Sequence, residues 1–168
     1  MGQPKLLLDW QGRTVMDHVL EAWTASQASH VVVVIRSQDA ELRQVCRRWP
    51  VDVVQPASDP ADMKESLQVG LRHIRQVHQA TDVDRWLFAP ADMPGLSATL
   101  INRLIVAGTM RSSVIAPRFD GRRGHPVSVP WSLTPEVFAL AINEGMHQML
   151  ARHAVWHAQR AGYRRLRQ

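Results

Sequence analysis

Val31-Val32-Val33-Val34-Ile35 is the longest run of β-branched apolar residues in the chain, and it is closed by His30 and Arg36. A strand apolar at every position, not at alternate ones, is covered on both faces, as strands of a parallel sheet are. Working outward, the pattern switches between strand and helix. Upstream, Leu6-Leu7-Leu8 is a short apolar run that stops at the polar turn Asp9 to Arg13. Thr14 then has the character of an N-cap, with Val15, Met16, Val19, Leu20 and Trp23 following at helical spacing. Downstream, Asp39 caps a helix carrying Leu42, Val45, Cys46 and Trp49, and Val51, Val53 and Val54 form a strand ending at Pro56. The spacing of Leu67, Leu71 and Ile74 predicts a helix from about Met63 to Gln79. Trp86 to Ala89 is another buried strand, Ser97 caps the next helix, and Val114 to Ala116 and Val127 to Val129 flank a tight turn at Gly121 to Gly124. Thr134-Pro135-Glu136 opens a further helix, with proline at its first helical position.

Strands alternating with helices over short links predict a three-layer, Rossmann-like α/β fold with a mostly parallel sheet, in a single domain. At 168 residues, 45% hydrophobic and 21% charged, the chain has the usage of an ordinary globular domain. A membrane helix needs about 20 consecutive apolar residues, and no run approaches that. No apolar signal segment is visible at the N-terminus, and Cys46 is alone, so no internal disulfide is possible. A reducing cytoplasm is the expected compartment. The net charge of +5 is confined to one end: residues 1–144 hold 15 Lys/Arg against 15 Asp/Glu. The excess is Arg152, Arg160, Arg164, Arg165 and Arg167, in an acid-free tail. A solvated terminus accounts for that tail, and nucleic acid is not an expected partner.

Ligands of open α/β sheets bind beyond the carboxyl ends of the strands. The loops there carry four signals. Asp92, in Ala91-Asp92-Met93-Pro94, is a carboxylate at the end of a buried strand. It either caps a turn or grips Mg²⁺, which is commonly held by one or two carboxylates plus substrate phosphates. Lys5, after Pro4, is either a surface lysine or a point charge for phosphate. Ser66 stands in the first turn of a helix, where free N–H groups favour anions and polar ligand edges. Gly124 and His125, in Gly121-Arg122-Arg123-Gly124-His125-Pro126-Val127, belong either to a charged hairpin or to a loop that meets an anionic partner. His153 and His157 have the spacing of two zinc ligands on one helix face, but no third ligand is evident.

In order, these phrases resemble the MobA-like nucleoside triphosphate transferase family, and within it the molybdenum cofactor cytidylyltransferase (MocA-like) branch. The matching phrases are Met1-Gly2-Gln3-Pro4-Lys5-Leu6-Leu7-Leu8, Gly12-Arg13-Thr14-Val15, Ser66-Leu67-Gln68-Val69-Gly70-Leu71, Ala91-Asp92-Met93-Pro94 and the Gly121 to Val127 stretch. The resemblance implies a fold of the nucleotide-diphospho-sugar transferase type. It also implies transfer of a nucleoside monophosphate from CTP or GTP to a phosphorylated acceptor, a molybdopterin, with Mg²⁺ as cofactor. By the same resemblance Lys5 neutralises triphosphate charge and Asp92 holds the metal, these two being catalytic. Ser66 lies beside base and ribose, and Gly124 and His125 line the acceptor side. A molybdenum enzyme is the partner implied.

Two departures accompany the resemblance. The family's first strand and Gly-rich phosphate loop precede the Met-Gly-x-Pro-Lys phrase, which here opens the chain. The family's closing acidic stretch is replaced by Arg-rich sequence from about residue 150. The expectation is a domain lacking its first strand, with an atypical basic tail and weakened turnover. A cytidylyltransferase for a small alcohol or sugar phosphate, and a non-catalytic partner-binding module, are the alternatives.

Overall fold

The computed structural model describes residues 4–119 and 122–158. A 3₁₀ turn at Lys5–Leu7 leads into a hairpin of β1 (Asp9–Trp10) and β2 (Arg13–Thr14). The hairpin turn places Gln11 at φ 53° and Gly12 at φ 83°, and glycine is the residue that takes the left-handed region without strain. The Leu6 to Leu8 run is therefore not a sheet strand. Leu6 and Leu7 instead pack onto the cluster around Met16, Leu20 and Ile35. α1 (Val15–Thr24) starts at a capping box in which Thr14 and Asp17 satisfy each other's backbone N–H groups.

β3 (Val32–Val34) and β4 (Asp52–Val54) pair parallel, joined by α2 (Ala40–Cys46). α3 (Met63–His73) follows, capped by Asp62, and its last turn widens into a π-helix at Ile74–His78. The helix expected to Gln79 thus changes its winding after His73. β5 (Arg85–Phe88), α4 (Ala98–Thr109), β6 (Val114–Phe119), β7 (Arg122–Arg123) and β8 (Val127–Pro130) come next. α5 (Thr134–Phe138), α6 (Met146–Ala151) and β9 (Val155–Ala158) complete the described residues.

The sheet is mixed. β9 runs parallel to β6, whereas β8 lies antiparallel between β5 and β6. Too few residues separate β6 from β8 for a parallel crossover, which needs a dozen or more. β9 falls within the stretch from about 150 expected as an atypical tail. Val155 packs on the main core, and residues up to Ala158 belong to the sheet. Residues 159–168, with four of the five tail arginines, lie outside the described residues, as do Met1–Gln3 and Asp120–Gly121. Arg152 is ion-paired with Glu144.

Alternation along β5 explains the three layers. Trp86 and Phe88 face one cluster with Leu71, Val127, Val129 and Met149, under α3. Leu87 faces the opposite side, where Val19 and Ala22 of α1 and Ile101 of α4 pack, and where Leu104 meets Ile115. Met16 and Leu20, on another stripe of α1, face the β3–β4 pair together with Ile35 and Leu42. α1 therefore joins the β3–β4 pair to the larger sheet through side chains. Arg85 is held on the α4 face, donating to Ser128 Oγ at 3.0 Å and to the carbonyls of Arg111 and Ser113 at 2.9 and 2.8 Å. Gly108 leaves room for it: a Cβ there would come within 2.6 Å of Arg85 Cδ.

Candidate active site

Folding brings two of the expected residues into contact across 87 positions of sequence: Lys5 Nζ donates to Asp92 Oδ2 at 2.7 Å. The 3₁₀ turn, anchored by Leu6 and Leu7, presents Lys5. The loop after β5 presents Asp92, with Ala91 packed on the same apolar cluster as those leucines. Both side chains stay open to solvent, at 70% and 41% exposure. An exposed pair of this kind contributes only about 0–1 kcal/mol, so a ligand can separate it at little cost. The Lys5 hydrogen bond, chiefly, holds the Asp92 carboxyl below the ordinary aspartate range, and it is ionised at neutral pH.

The segment Gly124-His125-Pro126 reaches the same end of β5. Phe88 pairs with Val127, and the His125 ring meets Phe88 edge to face at 5.7 Å between centroids. The His125–Pro126 peptide is cis. The Gly124 N–H is already committed to the Pro117 carbonyl at 2.8 Å. His125 Nδ1 is buried without a hydrogen-bond partner, an unusual state for a polar atom. Burial pushes the His125 pKa below its ordinary value of 6.5; the Arg123 charge adds to this, and the Phe88 backbone opposes it. A depressed histidine pKa means that the fold favours the neutral ring. The stabilisation is present above the unfolded pKa and is lost as pH falls through the lower folded one. An NMR titration should accordingly find His125 half-protonated below pH 6.5, and stability should decline on acidification below that point.

Ser66 is in the first turn of α3 as expected, but its hydroxyl donates back to the Asp62 carbonyl at 3.1 Å. No described hydrogen bond joins it to Lys5 or Asp92. The neighbouring Lys64 is buried and donates to the carbonyls of Ala141 and Ile142 at 2.9 and 3.2 Å, tying the start of α3 to the loop before α6. His153 and His157 do not share a helix face. His153 follows α6 and contacts Glu136 at 2.9 Å, while His157 is on β9. One network the sequence reading missed centres on Asp17, which gathers Thr14, Arg48 and Trp49 beside a shallow cleft lined by Asp9, Gly12 and Arg13. The Thr14-x-x-Asp17 phrase was its visible signal. Neither Lys5 nor Asp92 lines that cleft.

Asp92 supplies one anionic oxygen donor for a divalent cation at this end of the sheet. No cluster of three His, Cys, Asp or Glu ligand atoms surrounds it among the described residues. One carboxylate suits Mg²⁺ when substrate phosphates fill other positions.

Comparison with known proteins shows the family and the fold. The model of the MobA-like NTP transferase domain matches residues 1–158. The chain is 28% identical to the nicotine blue oxidoreductase of Paenarthrobacter nicotinovorans, over 91% of this chain and 75% of that protein. The crystal structure of Rv0371c with manganese, from Mycobacterium tuberculosis H37Rv, superposes with a TM-score of 0.78 at 20% identity, over 96% of this chain and 84% of the other. Molybdopterin-guanine dinucleotide biosynthesis protein A of Archaeoglobus fulgidus gives a TM-score of 0.67 at 15% identity, over 94% and 76%. No helix of the described residues is long and apolar enough to cross a membrane. By the family match over nearly its whole length, the chain belongs to the MobA-like NTP transferases and is a nucleotidyltransferase.

Proposed function

We propose that this chain moves a nucleoside monophosphate from CTP or GTP to the phosphate of a molybdopterin-type acceptor, with Mg²⁺ as the resident cation, in the cytoplasm. The observation that carries the reading is the open Lys5–Asp92 pair at the carboxyl end of β5. Its two charges match the two parts of a metal–triphosphate. The ammonium would leave the carboxylate for a phosphate oxygen, and the carboxylate would hold the cation. Bound there, Mg²⁺ would neutralise charge on the phosphates. The chemistry demands positioning and charge neutralisation of the protein, not an activated nucleophile.

The remaining residues have supporting parts. The start of α3, with Ser66, offers positive dipole ends and a hydroxyl acceptor to base and ribose. Gly124 keeps the loop close to the sheet through its bond to Pro117. His125, neutral at pH 7 and with Nδ1 unpartnered, offers a hydrogen-bonding ring to the acceptor without adding charge. The similarity to a molybdopterin-guanine dinucleotide biosynthesis protein supports the pterin acceptor, and the partner it implies is a molybdenum enzyme that receives the product.

The test is pyrophosphate release from CTP and from GTP, with Mg²⁺ and molybdopterin, alongside thermal shift by each nucleotide. Release dependent on the acceptor, with one nucleotide preferred, is expected. Absence of both release and nucleotide-dependent stabilisation would overturn the reading. Lys5→Met is expected to weaken nucleotide binding by about tenfold, the worth of one charge-assisted hydrogen bond at an open site. It should leave the unfolding temperature of the free protein nearly unchanged.

A further inference from the structure

A second constellation lies far from Lys5 in the chain and is not used by nucleotidyl transfer. Asp52 opens β4, His73 closes α3 and His78 closes the π-helix. They meet at one oxygen: His73 Nε2 is 2.9 Å and His78 Nε2 is 2.6 Å from Asp52 Oδ2. One ligand atom from each of the three lies within 4.8 Å of the others. The group sits at the amino ends of the parallel β3–β4 pair, whereas Asp92 follows the carboxyl end of β5.

The π-helix is what makes the convergence possible. In a regular α-helix, residues five apart point about 140° away from one another. The wider π turn closes on residue i+5, so His73 and His78 come round to the same side. Gln79, at φ 54°, then ends the helix directly after the second histidine. The His30 ring stacks on His78 at 3.7 Å between centroids and 19° between planes, which fixes the orientation of the ligand ring. The three side chains are partly covered, at 26%, 15% and 38% exposure for His73, His78 and Asp52, so solvent still reaches them.

We propose that Asp52, His73 and His78 form a binding site for a divalent transition metal, Zn²⁺ in the first instance, with solvent completing the coordination. Two imidazole nitrogens and one carboxylate oxygen are the donors of Zn²⁺, Co²⁺ and Ni²⁺ sites, while Mg²⁺ prefers oxygen alone. Tetrahedral zinc at its usual bond lengths holds ligand atoms about 3.4 Å apart. The histidine rings need retreat from Asp52 by less than about 1 Å to admit the ion. The metal would fasten the end of α3 and its π turn to the start of β4, so it acts on the stability of this half of the fold.

The experiment titrates metal-free full-length protein with Co²⁺, read by its visible absorption, and then displaces Co²⁺ with Zn²⁺. One saturable site per chain is expected, with Zn²⁺ at 100-fold over its dissociation constant raising the unfolding temperature by at least about 5 °C. His73→Gln and His78→Gln, checked for folding by circular dichroism, should each lower the affinity at least about tenfold, and Asp92→Asn should leave it unchanged. Lack of a saturable site in the wild type would overturn the proposal, whatever the variants do. So would binding that both folded histidine variants retain.

Discussion

Asp92→Asn is expected to reduce Mg²⁺-dependent nucleotidyl transfer by about 10²–10³-fold in kcat, the usual loss when one preorganised electrostatic group is removed from a reacting site. The substitution keeps the shape of the side chain and deletes only its charge. Two effects then separate. Loss of the anionic oxygen weakens retention of the cation during turnover. Lys5, deprived of its partner, is freer to engage phosphate. Nucleotide binding without Mg²⁺ should therefore be unchanged or tighter, while turnover with Mg²⁺ collapses. Pyrophosphate release and nucleotide thermal shift, each with and without Mg²⁺, measure the two sides. Turnover of Asp92→Asn at the wild-type rate would remove Asp92 from the mechanism, and equal weakening of nucleotide binding in both conditions would mean that the loop had lost its structure.

Asp17→Ala is expected to cost about 2–4 kcal/mol of stability, from a lost helix cap and a stranded indole donor. Asp17 is 7% exposed and accepts from Thr14 Oγ1 at 2.7 Å, from Trp49 Nε1 at 3.0 Å and from Arg48 at 3.0 Å. Burial alone would raise its pKa. The hydrogen bonds of Thr14 and Trp49 and the Arg48 charge outweigh that and hold it below 3.8. The stability so gained is present above the unfolded pKa and is lost as pH falls through the folded one. Arg48 itself is 60% exposed, so Arg48→Met should cost under about 1 kcal/mol. Chemical denaturation of both variants checks the ranking. A larger loss for Arg48→Met would make the ion pair, not the cap and the indole, the main contribution.

The fold was legible because its signals are local. The all-apolar Val31 to Ile35 run, the caps Thr14, Asp39 and Ser97, and the apolar strand that starts at Trp86 each depend on neighbours within a few residues. The return of β8 against β6 was legible in the tight turn at Gly121 to Gly124 that precedes it. Its place between β5 and β6 was hidden, because a short strand does not announce its second neighbour. The 3₁₀ turn at Lys5 was hidden because three leucines can enter a sheet or cover a cluster, and here Leu6 and Leu7 cover α1 while Leu8 stays exposed.

The site divides in the same way. Lys5 and Asp92 stand out in sequence as residue types, a lysine after proline and a carboxylate at a strand end. Their meeting over 87 positions does not follow from spacing. Asp52 and His78 are 26 positions apart, and a change of helical winding that no local preference announces is needed to bring His73 and His78 together. Sequence by itself determined β3, β4, β5, β6 and β8, the caps Thr14, Asp39 and Ser97, and the candidate charges, since these rest on hydrogen bonds and burial within a turn or a strand. Tertiary structure alone decided which charges face one another, because that depends on how α1 and α3 pack the two parts of the sheet together, a long-range balance of apolar burial.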